Sequence, residues 1–459
     1  MGIPPVSFDH LNRTALQSPL KANRIVRKSK DIQVTPEYRQ ILQWLNSKAP
    51  IVFVTGKAGT GKTTLIHYLR ENFQDNSVVV APTGVAALNV GGATIHSFFR
   101  IPPRIVTADD IKLVRDRSLY RKLRLLIIDE ISMVRSDILD AIDQFLQLNR
   151  ENSKPFGGVQ LLMVGDLFQL PPVLQRRDAE ALKVMGYESP YFFSAKVLKR
   201  CGMVPKELTK VYRQSEEGFI STLNQIRVAE AIDQVLPTLN RRHLALDGQA
   251  RTIITLACTN RVADGINDQE LNKLSTPLRT FLGEISGRFS LEDEKLPSPL
   301  NLSLKAGAQI MFTRNDEKKR WVNGTLGRVV KFGSETISVE IGEGRLREMH
   351  DVGRAKWESY KYEFDDEQDM ITPVSSGVYW QFPLMLAWAV TIHKSQGKTL
   401  DKVRLNLGDG AFDYGQVYVA LSRCRSLEDI YLDQLIRKED IKCDPVIKRF
   451  YNALAPQSG

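Results

Sequence analysis

Cysteine and long apolar runs are both scarce in this chain of 459 residues. The cysteines lie far apart and form no Cys-x-x-Cys pair; they are Cys201, Cys258, Cys424 and Cys443. Neither a disulfide framework nor a zinc framework is therefore expected, and a reducing compartment fits best. The longest nearly apolar stretch, residues 384–390, is too short to span a bilayer, and the first 30 residues contain no apolar segment typical of a signal peptide. We expect a soluble intracellular protein, in the cytoplasm or nucleoid of a prokaryote or phage, or in the nucleus or mitochondrion of a eukaryote.

Charge of one sign does not dominate the sequence either. Lysine and arginine exceed aspartate and glutamate by 63 to 53, which gives a net charge of +10. This excess favours an acidic partner such as nucleic acid without showing one, because most moderately basic proteins are merely soluble. Residues 1–34 are polar and basic and lack periodicity, so we interpret them as a flexible N-terminal arm.

Short runs that are apolar on both faces alternate with helical stretches along most of the chain. A first series occupies residues 51–54, 78–81, 125–128 and 161–164, and a second occupies 252–258, 309–313, 403–407 and 430–432. Strands that are buried on both faces and separated by helices are typical of parallel sheets. The sequence therefore predicts two α/β domains with parallel sheets, at residues 35–235 and 236–459.

Between about residues 325 and 383 the pattern changes to a period of two. Apolar and polar residues alternate over 337–341 and again over 360–364, and glycine-rich turns separate these runs. Such alternation is typical of strands with one buried face. This stretch predicts a small antiparallel β-barrel inserted into the second domain.

The sequence Gly-Lys-Ala-Gly-Thr-Gly-Lys-Thr at residues 56–63 follows the first predicted strand and opens a helical pattern. Its glycines allow backbone N–H groups to close around a phosphate, and the start of the helix adds positive potential. Lys62 is placed to meet the β and γ phosphates, and Thr63 to hold magnesium. With a strand before it and a helix after it, the motif predicts a nucleotide-binding phosphate loop.

Two polar motifs follow later strands of the same predicted sheet. Asp129 and Glu130 come directly after the run at 125–128, where Asp129 can face a metal and Glu130 can polarise an attacking water. Gln169, in the motif at 165–172, can sense the γ phosphate at the carboxyl edge of the sheet. Together with the phosphate loop, these residues predict an ATP-hydrolysing site.

Two distant arginines are candidates for the residue that stabilises the transferring phosphoryl group. Negative charge spreads over the phosphoryl oxygens in the transition state, and an arginine from a second domain can neutralise it. Arg213 lies in Val-Tyr-Arg-Gln at 211–214, and Arg423 ends Val-Ala-Leu-Ser-Arg at 419–423. Their contexts distinguish them from ordinary surface arginines.

These motifs resemble those of superfamily-one helicases both in their sequences and in their order along the chain. Over about residues 35–435, the sequence most closely resembles the petite integration frequency (Pif) helicase family. The resemblance also rests on the motifs at 81–87, 92–99, 128–133, 208–214 and 391–397. The tract at 208–227 resembles the signature that separates this family from RecD-like enzymes.

The resemblance implies a motor of two RecA-like, P-loop NTPase domains that uses ATP and magnesium. Such a motor moves 5′ to 3′ on single-stranded DNA and unwinds tailed or forked duplexes, and often G-quadruplexes and RNA–DNA hybrids, in replication, recombination, repair and telomere maintenance. The implied catalytic set is Lys62, Glu130, Gln169, Arg213 and Arg423, with Thr63 and Asp129 as metal ligands. The implied nucleotide-binding set is Gly56, Gly59, Thr60, Gly61, Lys62, Thr63 and Thr64, with Gln40 as the nearest candidate for reading adenine. The implied DNA-binding set is Thr83, Gly84, Thr94, His96, Thr391, His393 and Lys394.

A segment at residues 98–118 is a candidate for the element that separates the DNA strands. Pro102 and Pro103 cannot donate hydrogen bonds to an inner strand pair, so the segment is not expected to form a central strand. We hypothesise that it projects as a rigid apolar wedge beside Thr94 and His96. The alternative is a surface loop that covers the edge of the first domain, with core packing as the simplest role for Phe98 and Phe99.

Two other functions remain open at this point. A translocase that displaces bound proteins from single-stranded DNA would use the same motor without opening a duplex. A DNA-binding protein that only switches with bound nucleotide would have no use for Glu130, Gln169 and the two arginines.

Overall fold

Six parallel strands form the first sheet of this computed structural model, which describes residues 34–72, 76–243, 253–289, 296–342 and 344–454. The predicted arm, apart from Val34, lies outside the described residues. The strands are β1 (Ile51–Gly56), β2 (Ser77–Ala81), β3 (Ala93–Thr94), β4 (Leu125–Ile128), β5 (Gln160–Val164) and β6 (Val204–Leu208). Their spatial order is β3-β2-β4-β5-β1-β6, so the carboxyl ends of β4, β5 and β1 lie side by side. The phosphate loop, Asp129 and the motif at 165–172 therefore emerge at one edge of the sheet.

In the described residues, ten α-helices precede the second sheet. They are α1 (Pro36–Asn46), α2 (Lys62–Asn72), α3 (Gly84–Val90), α4 (Ile95–Phe99), α5 (Ser118–Lys122), α6 (Ser136–Arg150), α7 (Arg176–Val184), α8 (Lys196–Arg200), α9 (Glu217–Val228) and α10 (Ile232–Asn240). Local sequence explains where several of them begin. In α1, for example, Pro36 takes the first helical position and the Thr35 hydroxyl accepts from the Tyr38 N–H.

The described residues after α10 contain fourteen strands and four α-helices. The strands are β7 (Ile254–Ala257), β8 (Arg279–Leu282), β9 (Glu284–Gly287), β10 (Asn301–Leu304), β11 (Gln309–Phe312), β12 (Leu326–Phe332), β13 (Ile337–Ile341), β14 (Glu348–Val352), β15 (Ala355–Asp365), β16 (Met370–Gln381), β17 (Leu384–Leu386), β18 (Ala389–Thr391), β19 (Val403–Asn406) and β20 (Ile430–Leu432). The helices are α11 (Asn260–Lys273), α12 (Ile392–Ser395), α13 (Gln416–Leu421) and α14 (Pro445–Leu454).

The second sheet is also parallel, with the order β18-β7-β19-β20. Two parallel sheets joined by helices confirm the predicted α/β fold class. One predicted strand was assigned wrongly, however: residues 309–312 form β11, which pairs antiparallel with β12 and β17. Full burial on both faces gave β11 the appearance of a parallel strand.

The stretch between β7 and β18 is built from antiparallel strands. They form a five-stranded sheet in the order β14-β13-β12-β11-β17, a three-stranded sheet β15-β16-β9 and the pair β10-β8. These strands run from Arg279 to Leu386, so the predicted bounds of 325–383 were too narrow. Closure of these sheets into a barrel stays a prediction.

Packing also departs from the predicted boundary at residue 235. Buried residues of α9 and α10, including Phe219 and Val235, share a hydrophobic core with the second sheet. Helix α14 follows the second sheet in sequence, yet its Ile447 belongs to the core of the first. Position along the chain therefore does not decide which sheet these helices cover.

The apolar part of the segment at 98–118 does not project. Phe98, Phe99 and Ile101 are buried in the first core, and the Tyr120 hydroxyl donates to the Phe98 carbonyl oxygen. The hypothesis of an apolar wedge is therefore wrong for these residues, while Pro103 and Arg104 are exposed. No strand occurs in this fully described stretch, as the prolines predicted. A role in strand separation stays a prediction for the exposed part.

In the described ranges, no helix combines the length and the apolar character that a membrane crossing needs.

Candidate ATP and DNA sites

The phosphate loop runs from the end of β1 to the start of α2. Gly59 and Gly61 have φ angles of 80° and 88°, in the region that favours glycine. The Lys62 Nζ donates to the carbonyl oxygens of Gly56 and Lys57, at 2.7 and 3.0 Å. Desolvation lowers the pKa of Lys62, although the negative charges of Asp166, Glu130 and Asp129 oppose this effect. Lys62 of the phosphate loop thus interacts electrostatically with three carboxylates that lie outside the loop in sequence.

Asp129 and Glu130 leave the carboxyl end of β4 as an adjacent carboxylate pair. Burial, and then the charge of Glu130, raise the pKa of Asp129 to about 7. Burial also raises the pKa of Glu130, while Lys62 and Arg423 act against it. Glu130 has a φ of 48°, an uncommon conformation for a residue with a side chain, which often marks functional sites.

Magnesium fits this pair. Two desolvated carboxylates that repel each other are stabilised by a divalent cation, and Mg²⁺ prefers oxygen ligands. Asp129 supplies a carboxylate, and Thr63, at the start of α2, supplies an exposed hydroxyl. The predicted metal ligands therefore have suitable chemistry.

Gln169 is fixed by polar contacts from both sides. Its Nε2 donates to Asp166 Oδ2 at 3.3 Å, and its Oε1 accepts from Gln396 Nε2 at 3.4 Å. Gln396 also donates to Glu130 Oε2 at 3.3 Å. Gln396, which follows α12, therefore connects the two candidate catalytic residues of the first sheet with the second part of the chain.

Asp166 is the centre of a buried network that the sequence analysis did not find. Arg227 NH2 lies 2.9 Å from Asp166 Oδ1, and the Tyr418 hydroxyl donates to Asp166 Oδ2 at 3.2 Å. The same hydroxyl accepts from the Ala58 N–H in the phosphate loop at 3.0 Å. Burial alone would raise the pKa of Asp166, but the charges of Arg227 and Lys62 outweigh burial and lower it. The position of Asp166 three residues before Gln169, in the motif at 165–172, was the only available signal.

The two candidate arginines meet where the two parts of the chain join. Arg213 NH1 donates to the Ser422 carbonyl oxygen at 3.0 Å, beside Arg423. Arg423 is 1% exposed and donates to the Val419 carbonyl oxygen and the Ser422 hydroxyl, both at 2.8 Å. Burial, and then the charge of Arg213, lower the pKa of Arg423 to about 9, while the charge of Glu130 acts in the opposite direction. The structure thus brings Arg213, Arg423 and Glu130 into one electrostatic environment.

Three of the predicted DNA-binding threonines share one local structure. Each lies at or just after the carboxyl end of a strand and caps the next helix, with its hydroxyl accepting a backbone N–H at 3.2–3.3 Å; they are Thr83, Thr94 and Thr391. Gly84 is buried at the start of α3. Thr259 caps α11 after β7 in the same way, at 3.4 Å, and the sequence analysis missed it. A Cys-Thr-Asn sequence after an apolar run was the signal that could have identified it.

The predicted histidines are half-buried, whereas Lys394 is exposed. Burial lowers the pKa of His96 and of His393, which favours the neutral ring. The Nδ1–H of His96 donates to the Ile101 carbonyl oxygen at 3.3 Å. The two rings and Lys394 belong to the same strand–helix junctions as the capping threonines Thr94 and Thr391.

Gln40 does not meet the phosphate loop through a hydrogen bond in this structure. Its Oε1 accepts from Lys206 Nζ on β6 at 2.5 Å, and its role in adenine recognition stays a prediction. Tyr38, on the same helix, makes the direct contact: its hydroxyl donates to the Gly61 carbonyl oxygen at 2.8 Å. Burial raises the pKa of Tyr38 to about 12.

Comparison with known proteins gives consistent matches. A family model described as PIF1-like helicase matches residues 33–236. The chain is 33% identical to an ATP-dependent DNA helicase Pif1 of Bdellovibrio bacteriovorus, over 92% of either chain. It is 34% identical to the human ATP-dependent DNA helicase PIF1, over 95% of this chain and 66% of that protein, so it spans about two thirds of the human relative.

Solved structures of a Bacteroides Pif1 match the fold. The unliganded form is 39% identical, with a TM-score of 0.82 over 93% of this chain and 98% of that one. The form bound to single-stranded DNA is 40% identical, with a TM-score of 0.67 over 92% of this chain and 97% of that one.

Proposed function

Since this chain belongs to the PIF1-like helicase family, we propose that it is an ATP-dependent DNA helicase that moves 5′ to 3′ along single-stranded DNA and unwinds duplexes. The observation that carries the proposal is an ATP site assembled from both parts of the chain. Tyr418 and Gln396, from the side of the second sheet, contact the phosphate loop, Glu130 and Gln169 of the first. Changes at the nucleotide therefore alter how the two sheets are held together.

Hydrolysis needs a base, phosphate ligands and positive charge that meets the transition state. Glu130, whose pKa is raised by burial, is suited to accept a proton from the attacking water. Lys62 would bind the β and γ phosphates, and Gln169 would contact the γ phosphate or the attacking water. Arg423 and Arg213 would neutralise the charge that develops on the transferring group. Magnesium held by Thr63 and Asp129 would offset the negative charge of the phosphates.

DNA would lie across the carboxyl edges of both sheets. Thr83 and Thr94 lie at the carboxyl ends of neighbouring strands of the first sheet, β2 and β3, and Thr259 and Thr391 lie at those of neighbouring strands of the second, β7 and β18. Threonine hydroxyls and backbone N–H groups bind phosphates without reading sequence, and neutral histidine rings can stack on bases. When ATP closes the two sheets on each other, these two sets of contacts approach, and when it is hydrolysed they separate. If the contacts on the two sheets bind the DNA alternately, the protein would move along the DNA strand.

The substrates that we propose are single-stranded DNA and tailed or forked duplexes inside the cell. G-quadruplexes and RNA–DNA hybrids are proposed as further substrates, because opening either needs only force on the tracked DNA strand. A helicase is preferred over a protein-displacing translocase, because relatives such as the Bdellovibrio bacteriovorus and human proteins are ATP-dependent DNA helicases.

Strand displacement on tailed duplexes tests this proposal. Duplexes with a 5′ tail, a 3′ tail or no tail are incubated with ATP and magnesium, and Glu130→Gln serves as the control that binds nucleotide without turnover. We expect displacement from the 5′-tailed duplex alone, and none with Glu130→Gln. Displacement from the 3′-tailed duplex alone would show that the protein moves 3′ to 5′ instead. DNA-stimulated ATP hydrolysis that removes streptavidin from a biotinylated single strand but opens no duplex would instead identify a translocase.

A further inference from the structure

Helix α14 packs on the first sheet, at the end where the phosphate loop begins. Phe450 lies with its ring centroid 4.1 Å from that of Phe193 and 6.1 Å from that of Phe53 on β1. Phe53 and Thr55 face the same side of β1, because alternate residues of a strand share a face. The next residue of the helix, Tyr451, lies beside Thr55.

Tyr451 contacts two segments of the candidate ATP site. Its hydroxyl shares a hydrogen bond of 2.5 Å with the hydroxyl of Thr55, the residue directly before the phosphate loop. Its ring centroid lies 4.8 Å from that of Phe168, the residue directly before Gln169. Burial raises the pKa of Tyr451, so the hydroxyl keeps its proton at neutral pH.

Arg227 is a second contact of the Phe168 ring. Its guanidinium lies 4.2 Å from the centre of the Phe168 ring and 5.8 Å from the centre of the Tyr451 ring, and it pairs with Asp166. Phe168 is buried, with 6% of its surface exposed. Asp166 lies two residues before Phe168 and Gln169 directly after it, so holding the ring restricts the loop that carries both.

We propose that Tyr451 is a positioning residue of the ATPase site. Tyr451 acts through two neighbouring residues. Its contact with Thr55 fixes the start of the phosphate loop, and its contact with Phe168 fixes the position of Gln169. This inference rests on the proposed function, since it assigns a role in ATP hydrolysis. It adds a contribution from a helix that follows the second sheet and lies outside every motif that the sequence analysis used.

The role predicts a specific kinetic effect. Lys62 and the loop backbone bind phosphates in the ground state, whereas Gln169 contributes to the arrangement of the transition state. A loop that is slightly misplaced loses transition-state stabilisation without losing ground-state affinity to the same extent. Loss of Tyr451 should therefore lower kcat more than it raises KM for ATP.

The test compares variants in the full chain under saturating single-stranded DNA. We expect Tyr451→Leu to lower kcat by about tenfold with KM changed by less than about twofold. Tyr451→Phe keeps the ring against Phe168 and should recover most of the rate. Thr55→Val should lower kcat as much as Tyr451→Phe does. The double variant Thr55→Val/Tyr451→Phe should lower kcat no further than either single variant, because both substitutions remove the same hydrogen bond.

Phe450→Leu is the matched control, since it removes a half-buried aromatic ring from the same helix and leaves the contacts of Tyr451 with Phe168 and Thr55 in place. It should lower the melting temperature about as much as Tyr451→Leu while kcat stays near that of the wild type. Normal kcat in Tyr451→Leu, or equal loss of kcat in Phe450→Leu, would overturn the inference. If Tyr451→Leu does not fold, wild-type kcat in both Tyr451→Phe and Thr55→Val would overturn it. A wild-type chain without DNA-stimulated ATP hydrolysis would instead overturn the proposed function.

Discussion

At the scale of single residues, the clearest feature is an arginine that is fully enclosed and yet close to the candidate base. Arg423 is 1% exposed, and its guanidinium donates to the carbonyl oxygen of Val419 on the preceding helix α13 and to the Ser422 hydroxyl. Because an arginine finger meets charge that grows only in the transition state, Arg423→Ala should lower kcat by about a thousandfold and leave ATP affinity nearly unchanged. Single-turnover hydrolysis and nucleotide-binding titrations measure the two effects separately.

The neighbouring Arg425 provides the matched control, because it is exposed and lies only two residues away. Arg425→Ala should retain wild-type kcat. A loss of ATP affinity in Arg423→Ala, with kcat preserved, would remove Arg423 from the hydrolytic step.

Asp129 gives a second prediction at this scale, concerning stability. Its pKa of about 7 in the folded protein is above the usual value of 3.8, so the folded state holds the proton more tightly than the unfolded chain. Stability should therefore fall as the pH rises from about 4 to about 7, by at most about 4 kcal/mol. In protein free of nucleotide and magnesium, Asp129→Asn should raise the melting temperature by an amount that grows from about pH 5 to about pH 7.5.

Asp264→Asn, at an exposed position of α11, controls for the lost charge and should show no such growth. Magnesium with nucleotide should shrink the advantage of Asp129→Asn, because the cation stabilises the ionised carboxylate. A difference in melting temperature that stays constant with pH would contradict the assignment.

At the scale of elements, the hairpin of β15 and β16 reaches from the antiparallel region to the first sheet. The Tyr362 hydroxyl accepts from the Val79 N–H at 3.1 Å and lies 3.2 Å from the Val79 carbonyl oxygen, on β2. These backbone groups are available because β3 has only two residues and pairs with β2 at Val80 and Ala81. At the hairpin tip, the Ile371 N–H donates to the Asn76 side chain at 2.9 Å. The hairpin thus contacts the part of β2 that the short edge strand β3 leaves unpaired.

We expect single-stranded DNA to separate this hairpin from the first sheet. The fold matches the unliganded Bacteroides structure better than the DNA-bound one. If the hairpin contact exists only without DNA, it opposes DNA binding. Tyr362→Phe removes the hydroxyl and should raise affinity for single-stranded DNA several-fold, since a lost hydrogen bond to a buried backbone group costs about 1–3 kcal/mol. Fluorescence anisotropy measures the affinity, and amide hydrogen exchange at Ile371 should become faster in the complex.

Tyr360→Phe is the control for the hairpin, because the hydrogen bond that the Tyr360 hydroxyl donates goes to Glu358 on the same strand. It should leave DNA affinity unchanged. Slower exchange at Ile371 when DNA binds would show that the hairpin stays docked.

At the scale of the whole molecule, the net charge of +10 bears on how tightly DNA is held. If the groove across both sheets neutralises about six phosphates, the log of the affinity for single-stranded DNA should fall with the log of salt concentration with a slope near −4, because each single-strand phosphate contributes about −0.7. Titrations of a short oligothymidine over a range of sodium chloride concentrations give this slope. A flat response would mean that the basic residues lie away from the DNA path.

The sequence alone determined the fold class and most of the candidate ATP site. The strands β1, β2, β4 and β5 follow from local apolar runs, and the phosphate loop follows from its glycines and Lys62. Asp129, Glu130 and Gln169 could be placed at one edge because the carboxyl ends of parallel strands always share an edge. Each of these features depends on neighbouring residues in the chain, so periodicity and motif spacing are sufficient to detect it.

Only the tertiary structure decided which distant segments share a core. Residues 309–312 were as apolar as a parallel strand, yet they pair antiparallel, since pairing depends on partners at 326–328 and 384–386. Asp166 contacts Arg227, which lies 61 positions later in the chain, and Tyr418, which lies 252 positions later. No local sequence pattern indicates such contacts. The same holds for α14, whose aromatic residues return to β1 after the second sheet is complete. Local patterns specify strands, turns and loops, whereas contacts between distant segments are selected by complementary shape and charge, which exist only once the chain has folded.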